Sequence, residues 1–204
     1  MKKKLLIKAA CVIAMCTASS GAYAQDGASA ILDGYYTARS ELKVDSDKDH
    51  GDGFGIKGQG NVLKNLRLTA EYQTANLNDT DFDVDQIRAG ALAMTTGELR
   101  YGAGAEYVHV KVDTPFGNVK ASGYSIYARG EADIGSRATV YGQAGYLSLE
   151  DDADADGFEY LVGATVKVTS LIGLFAEYRS ALLKDNDDVD LDLADFRLGA
   201  RLTF

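Results

Sequence analysis

Cysteine, proline and histidine are all scarce in this chain of 204 residues. The cysteines are Cys11 and Cys16, both near the N-terminus, and the one proline is Pro115. We expect both cysteines to be removed with an export signal, which excludes disulfides and thiol chemistry from the mature protein. No proline-rich or serine-rich linker divides the rest of the chain, and its length predicts a single domain.

The N-terminus has the pattern of a secretory signal. Four lysines precede an apolar run from Ala9 to Met15, and small residues follow up to Ala24. This pattern predicts a signal peptide over residues 1–24 and a mature domain over residues 25–204. A transmembrane anchor helix needs about 20 apolar residues, and this run is shorter. A lipoprotein signal ending at Cys16 is a minor alternative, because Met15 stands where a small residue is expected.

The mature chain is strongly acidic. The whole sequence has 21 Lys and Arg against 30 Asp and Glu, and removal of the four signal lysines leaves 17 bases and a net charge of -13. Such a chain should repel nucleic acid and attract cations, provided that the acids lie together on an exposed surface.

The last eleven residues, ADFRLGARLTF, alternate without a break between apolar and polar side chains. Similar segments recur along the chain, and no helical pattern is present to cover their apolar faces. A tilted strand of about 9 to 11 residues spans a bilayer, and only a closed barrel leaves no backbone group unpaired in hydrocarbon. The pattern predicts an all-β fold, a transmembrane antiparallel up-and-down β-barrel.

Two repeated strand types set the predicted strand count at ten, with eight as the alternative. One type ends in A-E-Y, as in LRLTAEY, and the other carries a glycine three residues after an apolar start, as in FRLGARLTF. An even number suits closure of an antiparallel barrel. The predicted strands are 30–42, 53–62, 66–75, 84–94, 99–111, 121–134, 138–149, 158–168, 173–183 and 194–204.

The predicted connections alternate in length, which is typical of outer-membrane barrels and places both termini in the periplasm. The short ones are 63–65, 95–98, 135–137 and 169–172, and the long polar ones are 43–52, 76–83, 112–120, 150–157 and 184–193. A soluble lipocalin-type barrel also alternates, and periodicity alone does not separate inside from outside. The signal peptide, Phe204 and the unequal connections favour the membrane barrel.

The chain resembles the small outer-membrane β-barrel proteins of Gram-negative bacteria, which are OmpA-like and opacity-like in broad terms. Closer similarity is to small Xanthomonas-type barrels, through a D-x-D-Q-x-R-x-G strand (Asp83 to Gly90) and a Y-x-x-A-G-Y strand (Tyr141 to Tyr146). The resemblance covers the whole mature chain and implies an architecture without a catalytic signature. It also implies that the terminal Phe204 is read as a signal by the barrel assembly machinery.

Alternation divides the side chains into two faces. The lipid face collects apolar residues, and Tyr72, Tyr107, Tyr146 and Tyr178 are predicted to form an aromatic girdle at the outer interface. The opposite face carries near-equal opposite charges. Its bases are Arg39, Lys57, Arg67, Arg88, Arg100, Arg129, Lys167, Arg179, Arg197 and Arg201, and its acids are Asp33, Glu41, Glu71, Glu106, Glu131, Asp133, Glu159, Glu177 and Asp195.

Inside a narrow barrel these charges should pair, because an unpaired buried charge is costly. Glu71, Glu106 and Glu177 hold matching places in three strands, and Arg88 and Arg197 hold matching places in two others. We expect them to form a network that blocks bulk flow. A narrow, porin-like channel for small solutes or ions is the alternative.

The remaining acids outnumber the remaining bases and fall mostly in the predicted external loops. Asp152, Asp154 and Asp156 in DDADADG imitate the start of a calcium loop, but Gly163 occupies the place of the bidentate glutamate. Weak, delocalised binding of Ca²⁺ or Mg²⁺ is therefore the expectation, and solvation of the loops is the simpler alternative. No other cofactor is indicated.

Catalysis has little support in the sequence. Hydrolytic chemistry on such a barrel needs a histidine beside an acid or a serine. His50 lies in an acidic segment, and His109 has no serine close to it in the sequence. We therefore expect a structural or surface-interaction role and no enzyme. Its expected partners are outer-membrane lipid, lipopolysaccharide, the assembly machinery and an external ligand.

Overall fold

The structure, a computed structural model, describes residues 30–44, 47–78, 80, 82–115, 117–152, 154–185 and 189–204. The predicted signal peptide, residues 1–24, lies outside these residues. No helix in the described ranges is long and apolar enough to cross a membrane. The strands are β1 (Ala30–Val44), β2 (Asp47–Leu63), β3 (Leu66–Leu77), β4 (Asp83–Met94), β5 (Leu99–Thr114), β6 (Gly117–Ile134), β7 (Ala138–Asp151), β8 (Ala155–Lys167), β9 (Ile172–Asp185) and β10 (Asp190–Thr203).

The ten strands form one closed antiparallel barrel. Each strand pairs with its neighbours in the chain, and β1 pairs with β10 to complete the ring. The last link of this seam joins the first residue of β1 to Phe204, where the Phe204 amide donates to the Ala30 carbonyl at 2.9 Å and the reverse bond measures 3.2 Å. The barrel fold and the count of ten are confirmed, and the alternative of eight strands is wrong.

The barrel has two unlike ends. We call the end that holds Ala30, Phe204 and the turns 64–65, 95–98, 135–137 and 168–171 the terminal end, and the opposite end the loop end. The turns at the terminal end lie where the sequence predicts them. Gly135, with a φ of 62°, supplies the left-handed conformation for one of them.

The loop end differs from the prediction. The strands replace most of four of the five predicted long loops, so that β1 extends to Val44 and β2 begins at Asp47. The exception is the predicted loop 76–83, of which residues 78–82 remain between β3 and β4. The backbone groups continue their ladder in these extensions. The acidic residues therefore lie largely on strand ends that project from the barrel, and less on long loops.

Glycines in the strands make room for inward-facing aromatic rings. Tyr35 pairs directly with Gly55, and Tyr141 with Gly163. A Cβ on Gly163 would lie 2.6 Å from the ring of Tyr141, so any larger residue would displace that ring. Gly199 of the same strand type faces the ring of Phe175, whereas a Cβ on Gly90 would meet the Ala105 carbonyl and Glu106. Close approach of a neighbouring group therefore explains the glycine of the repeated strand type.

The outward face is apolar over a band and polar beyond it. In β5 the apolar residues up to Tyr107 face outward, whereas Val108 and Val110 face inward and are buried. His109 and Lys111 take the outward positions beyond Tyr107. An apolar exterior that gives way to a polar one marks the boundary between hydrocarbon and water. A corresponding switch follows Tyr146 in β7, and another precedes Phe196 in β10, whereas in β9 the exposed Leu182 extends the apolar exterior beyond Tyr178.

Aromatic side chains concentrate at this boundary. Tyr107 contacts Tyr124 with ring centroids 5.8 Å apart, and Tyr146 contacts Phe158 at 5.9 Å. Among the four predicted girdle residues, Tyr72 is the exception in exposure, because only 6 % of its surface is accessible.

Candidate functional site

An apolar layer fills the part of the barrel interior that lies nearest the loop end. Val108, Leu147 and Leu183 are almost wholly buried in it. The buried members of this apolar layer are Val108, Val110, Ala121, Leu147, Leu149, Ala155, Ala181 and Leu183, with the partly buried Val84, Val112, Leu191 and Leu193 packed against them. Interiors packed in this way exclude water.

Below the apolar layer lies a central charge network built around Arg197. This side chain is 0 % exposed. Its guanidinium contacts Glu71 at 2.8 Å, Glu177 at 3.2 Å and Asp195 at 2.9 Å, and it lies over the ring of Tyr35 at 5.1 Å. The Tyr35 hydroxyl donates to Glu71 at 2.7 Å. Three strands and an aromatic ring thus converge on one cation.

Arg88 forms the second centre of the network. It contacts Glu106 at 2.6 Å and also contacts Glu159, which accepts a further hydrogen bond from Ser125 at 3.0 Å. Arg179 contacts Glu71 at 3.4 Å, yet its Nε and Nη1 atoms are buried without a hydrogen-bond partner. Arg197 Nε is likewise buried without a hydrogen-bond partner, so the network is dense but incompletely satisfied, most of all around Arg179.

At the terminal end the interior opens into a polar cavity of about 290 Å³. We call it the terminal-end cavity. Exposed turn residues 169–171 form part of its rim, and its wall includes Arg67, Arg100, Arg129 and Arg201. Arg201 binds Asp33 through two nitrogens at 2.7 and 2.8 Å, and Arg100 binds Asp133 at 2.7 and 2.9 Å.

The predicted inward charges fall into two groups in the structure. Glu71, Arg88, Glu106, Glu177, Arg179 and Arg197 come together in the central charge network, whereas Arg129 and Arg201 lie at the terminal-end cavity.

Arg39 and Glu41 do not face inward, and their predicted position is wrong. The register of β1 shifts between Thr37 and Ser40, which inserts one extra residue and reverses the side-chain parity beyond it. The Arg39 side chain is 66 % exposed and pairs with Glu41 at 2.9 Å.

The three carboxylates proposed for a metal are not gathered into one site. Asp152 accepts a hydrogen bond from the backbone of Lys120 at 3.1 Å, and Asp156 accepts one from the Tyr146 hydroxyl. In the part of the chain that the structure describes, no three Asp, Glu, His or Cys side chains are arranged to hold a metal ion. Weak binding by dispersed acids stays a prediction.

The histidines lie near the loop end. His50 is exposed, and its amide donates to Asp49 at 2.7 Å. His109 Nδ1 lies 2.8 Å from Ser122 Oγ, a contact that the sequence does not reveal because the two residues are 13 positions apart. The pairing of β5 with β6 brings them together.

A closed antiparallel barrel with an apolar exterior band, aromatic boundary residues and a polar interior defines the class of transmembrane β-barrels. The sequence profile of the family described as outer membrane protein beta-barrel domain matches residues 9–204. The chain therefore belongs to this family, and its location is the outer membrane. No curated protein matches the sequence significantly.

Solved structures share the fold at low sequence identity. Neisserial surface protein A is similar with 18 % identity and a TM-score of 0.48, covering 88 % of this chain and 100 % of that one. An outer membrane channel from Pseudomonas putida F1 shows 10 % identity and a TM-score of 0.50, covering 87 % and 94 %. The outer membrane protease OmpT from Escherichia coli shows 13 % and 0.50, covering 89 % and 98 %. These likenesses concern the fold alone.

The apolar layer is the feature that the sequence analysis missed. Its signal was present, because Val108, Val110 and Val112 continue the alternation of β5 with the opposite parity from Tyr107. The sequence pattern predicts one charged inner face along the whole barrel, whereas the inner face is apolar near the loop end. Recognition that the solvent outside the barrel changes from lipid to water would have found it.

Proposed function

We propose that this protein is a closed outer-membrane barrel with a structural and surface-interaction role, and that its acidic loop end makes the external contacts. One observation carries the proposal. The interior is blocked twice, by the apolar layer and by the central charge network. Leu147 in the apolar layer and Arg197 in the network are each at most 1 % exposed. A water-filled pore needs a continuous polar path, and this packing opposes one.

The orientation belongs to the same proposal. Residues 1–24 direct export and are removed after Ala24, the terminal end lies in the periplasm, and the loop end faces outward. Short turns at one end and projecting strands at the other support it. Phe204 at the end of β10 would be read by the barrel assembly machinery.

The charges of the loop end indicate the chemistry of its partners. Cations, divalent ions associated with lipopolysaccharide and basic external ligands suit this surface, and nucleic acid does not. Binding of Ca²⁺ or Mg²⁺ would be weak and dispersed over many carboxylates. Acids near this end include Asp47, Asp52, Asp83, Asp85, Asp113, Glu150, Asp152, Asp156, Asp190 and Asp192.

Current across a planar bilayer tests the closed barrel. The refolded full chain is inserted, and its folded state is verified by heat-modifiability, the gel shift between unheated and boiled barrel. We expect no current steps above those of a detergent-only membrane. Reproducible steps from folded protein would overturn the proposal and favour the narrow channel for small solutes or ions.

A further inference from the structure

The terminal-end cavity concentrates positive charge in an acidic protein. Five cations line it, namely Arg67, Arg100, Arg129, Lys167 and Arg201. The carboxylates that face them are Glu131 and Asp133 in the lining and Asp33 behind Arg201. This leaves an excess of two positive charges, whereas the whole sequence has a net charge of -9.

One carboxylate is shared by three guanidinium groups. Glu131 contacts Arg129 at 2.8 Å, Arg100 at 3.2 Å and Arg67 at 3.4 Å. Asp133 binds Arg100 as well, so two carboxylates face three guanidinium groups and one positive charge is left without a carboxylate of its own. Like charges held this close repel one another. The arrangement is stabilised when a further anion enters between them.

Arg67 has donors to spare for such an anion. Its contacts to Gln59, Asn61 and Glu131 measure 3.3, 3.4 and 3.4 Å, all beyond the usual range for N–H···O bonds. Its guanidinium lies at the wall of a space of about 290 Å³, whereas a single water needs only about 10 to 15 Å³.

We propose that the terminal-end cavity binds a small soluble oxyanion of the phosphate or sulfate class. A planar guanidinium group donates two parallel hydrogen bonds to two oxygens of such an anion, and Lys167 adds a flexible cation at the rim. The cavity lies in the barrel interior and is surrounded by the strands. A lipid headgroup could enter it only if the acyl chains of that lipid left the hydrocarbon. The apolar layer and the central charge network lie between the cavity and the loop end, so the cavity opens at the terminal end. This inference is independent of the external role proposed above.

Isothermal titration calorimetry of the refolded full chain with inorganic phosphate tests the site, with sodium chloride at equal ionic strength as the reference. We expect saturable phosphate binding, and we expect the double variant Arg67→Gln, Lys167→Gln to bind about tenfold more weakly or worse. Lys184→Gln removes an exposed charge at the loop end, paired to Asp190 at 3.7 Å, and should bind as the parent does.

Heat-modifiability verifies that each variant folds. Should the double variant fail to fold, Lys167→Gln alone changes only an exposed rim side chain and should still weaken binding. The proposal is overturned by three results: no saturable phosphate heat, equal binding of chloride, or an equal loss in Lys184→Gln. The bilayer current bears on none of these, so this proposal and the closed barrel can fail separately.

Discussion

Arg197 shows how one residue organises the barrel interior. It is fully buried, and Glu71, Glu177 and Asp195 all reach its guanidinium. Desolvation of four charges costs several kcal/mol per ion, and the close contacts offset this cost only while every partner is present. The buried donors of Arg179 without partners place that residue among the less favourable members of the network.

Arg197→Gln should destabilise the folded barrel by about 3 to 5 kcal/mol, because three buried carboxylates lose their shared cation. The change in the free energy of unfolding is measured by urea titration, with the folded fraction at each urea concentration read from heat-modifiability. The matched control is Arg39→Gln, whose guanidinium is exposed beside Glu41 and should cost about 0 to 1 kcal/mol. Equal unfolding midpoints for the two variants would contradict the importance of the central charge network.

The strands carry information that single residues do not. The bulge in β1 between Thr37 and Ser40 reverses parity and turns Arg39 and Glu41 to the outside. Ser40 then faces inward and donates to Asp195 at 2.9 Å. One inserted residue thus exchanges the inner and outer faces for the rest of the strand.

Phe204 at the end of β10 has two roles that can be tested separately, the backbone pairing with β1 and the proposed assembly signal of its ring. Phe204 joins β1 through its backbone, while 66 % of the residue's surface is accessible. Phe204→Ala keeps the backbone bonds and removes only the ring. If the ring is the assembly signal, this variant should reach the outer membrane several-fold less, with unchanged stability after refolding in detergent.

Cell fractionation and urea unfolding provide the two measurements for Phe204. Deletion of the residue is the companion variant, since it also removes the two seam hydrogen bonds and should lower both membrane level and stability. Normal membrane levels of Phe204→Ala would remove the proposed signal role.

The whole molecule is a barrel in two solvents. Within the band below Tyr107 its exterior meets hydrocarbon and its interior holds charges, whereas beyond that level the exterior is polar and the interior apolar. The upper part is therefore built like a soluble barrel, in which burial of apolar area stabilises the interior. Its projecting strands need this inner layer because no lipid supports them.

Two substitutions in β10 measure the position of the boundary. Leu198 faces outward within the band and Ala194 faces outward beyond Phe196. Leu198→Arg should lower the stability of the folded barrel by about 2 to 4 kcal/mol, and Ala194→Arg by about 0 to 1 kcal/mol. The difference arises because the penalty for a lipid-facing charge falls toward the interface. Refolding yield into lipid vesicles, read by heat-modifiability, compares them. An equal loss in both would place the boundary elsewhere.

Period-two alternation, turn residues and their spacing were sufficient to predict the ten strands, the closed barrel and the turns at the terminal end. These features are local, since a side chain's face follows from its position in a strand. The same alternation identified Glu71, Glu106, Arg88 and Arg197 as candidates for the interior. Assignment of faces by alternation holds only while parity is constant along a strand, so it fails for Arg39 and Glu41 beyond the bulge in β1.

Only the tertiary structure decided the features that depend on several strands at once. These features are the bulge in β1, the apolar layer, the pair of His109 and Ser122, and the sharing of Glu131 by arginines of three strands. The sequence by itself determined which side chains share one face of each regular strand segment, because alternation is local. The point at which the bulge in β1 exchanges the two faces depends on its pairing with β2 and β10. Which charges meet inside depends on the pairing register around the closed ring, and that register exists only once all ten strands are assembled.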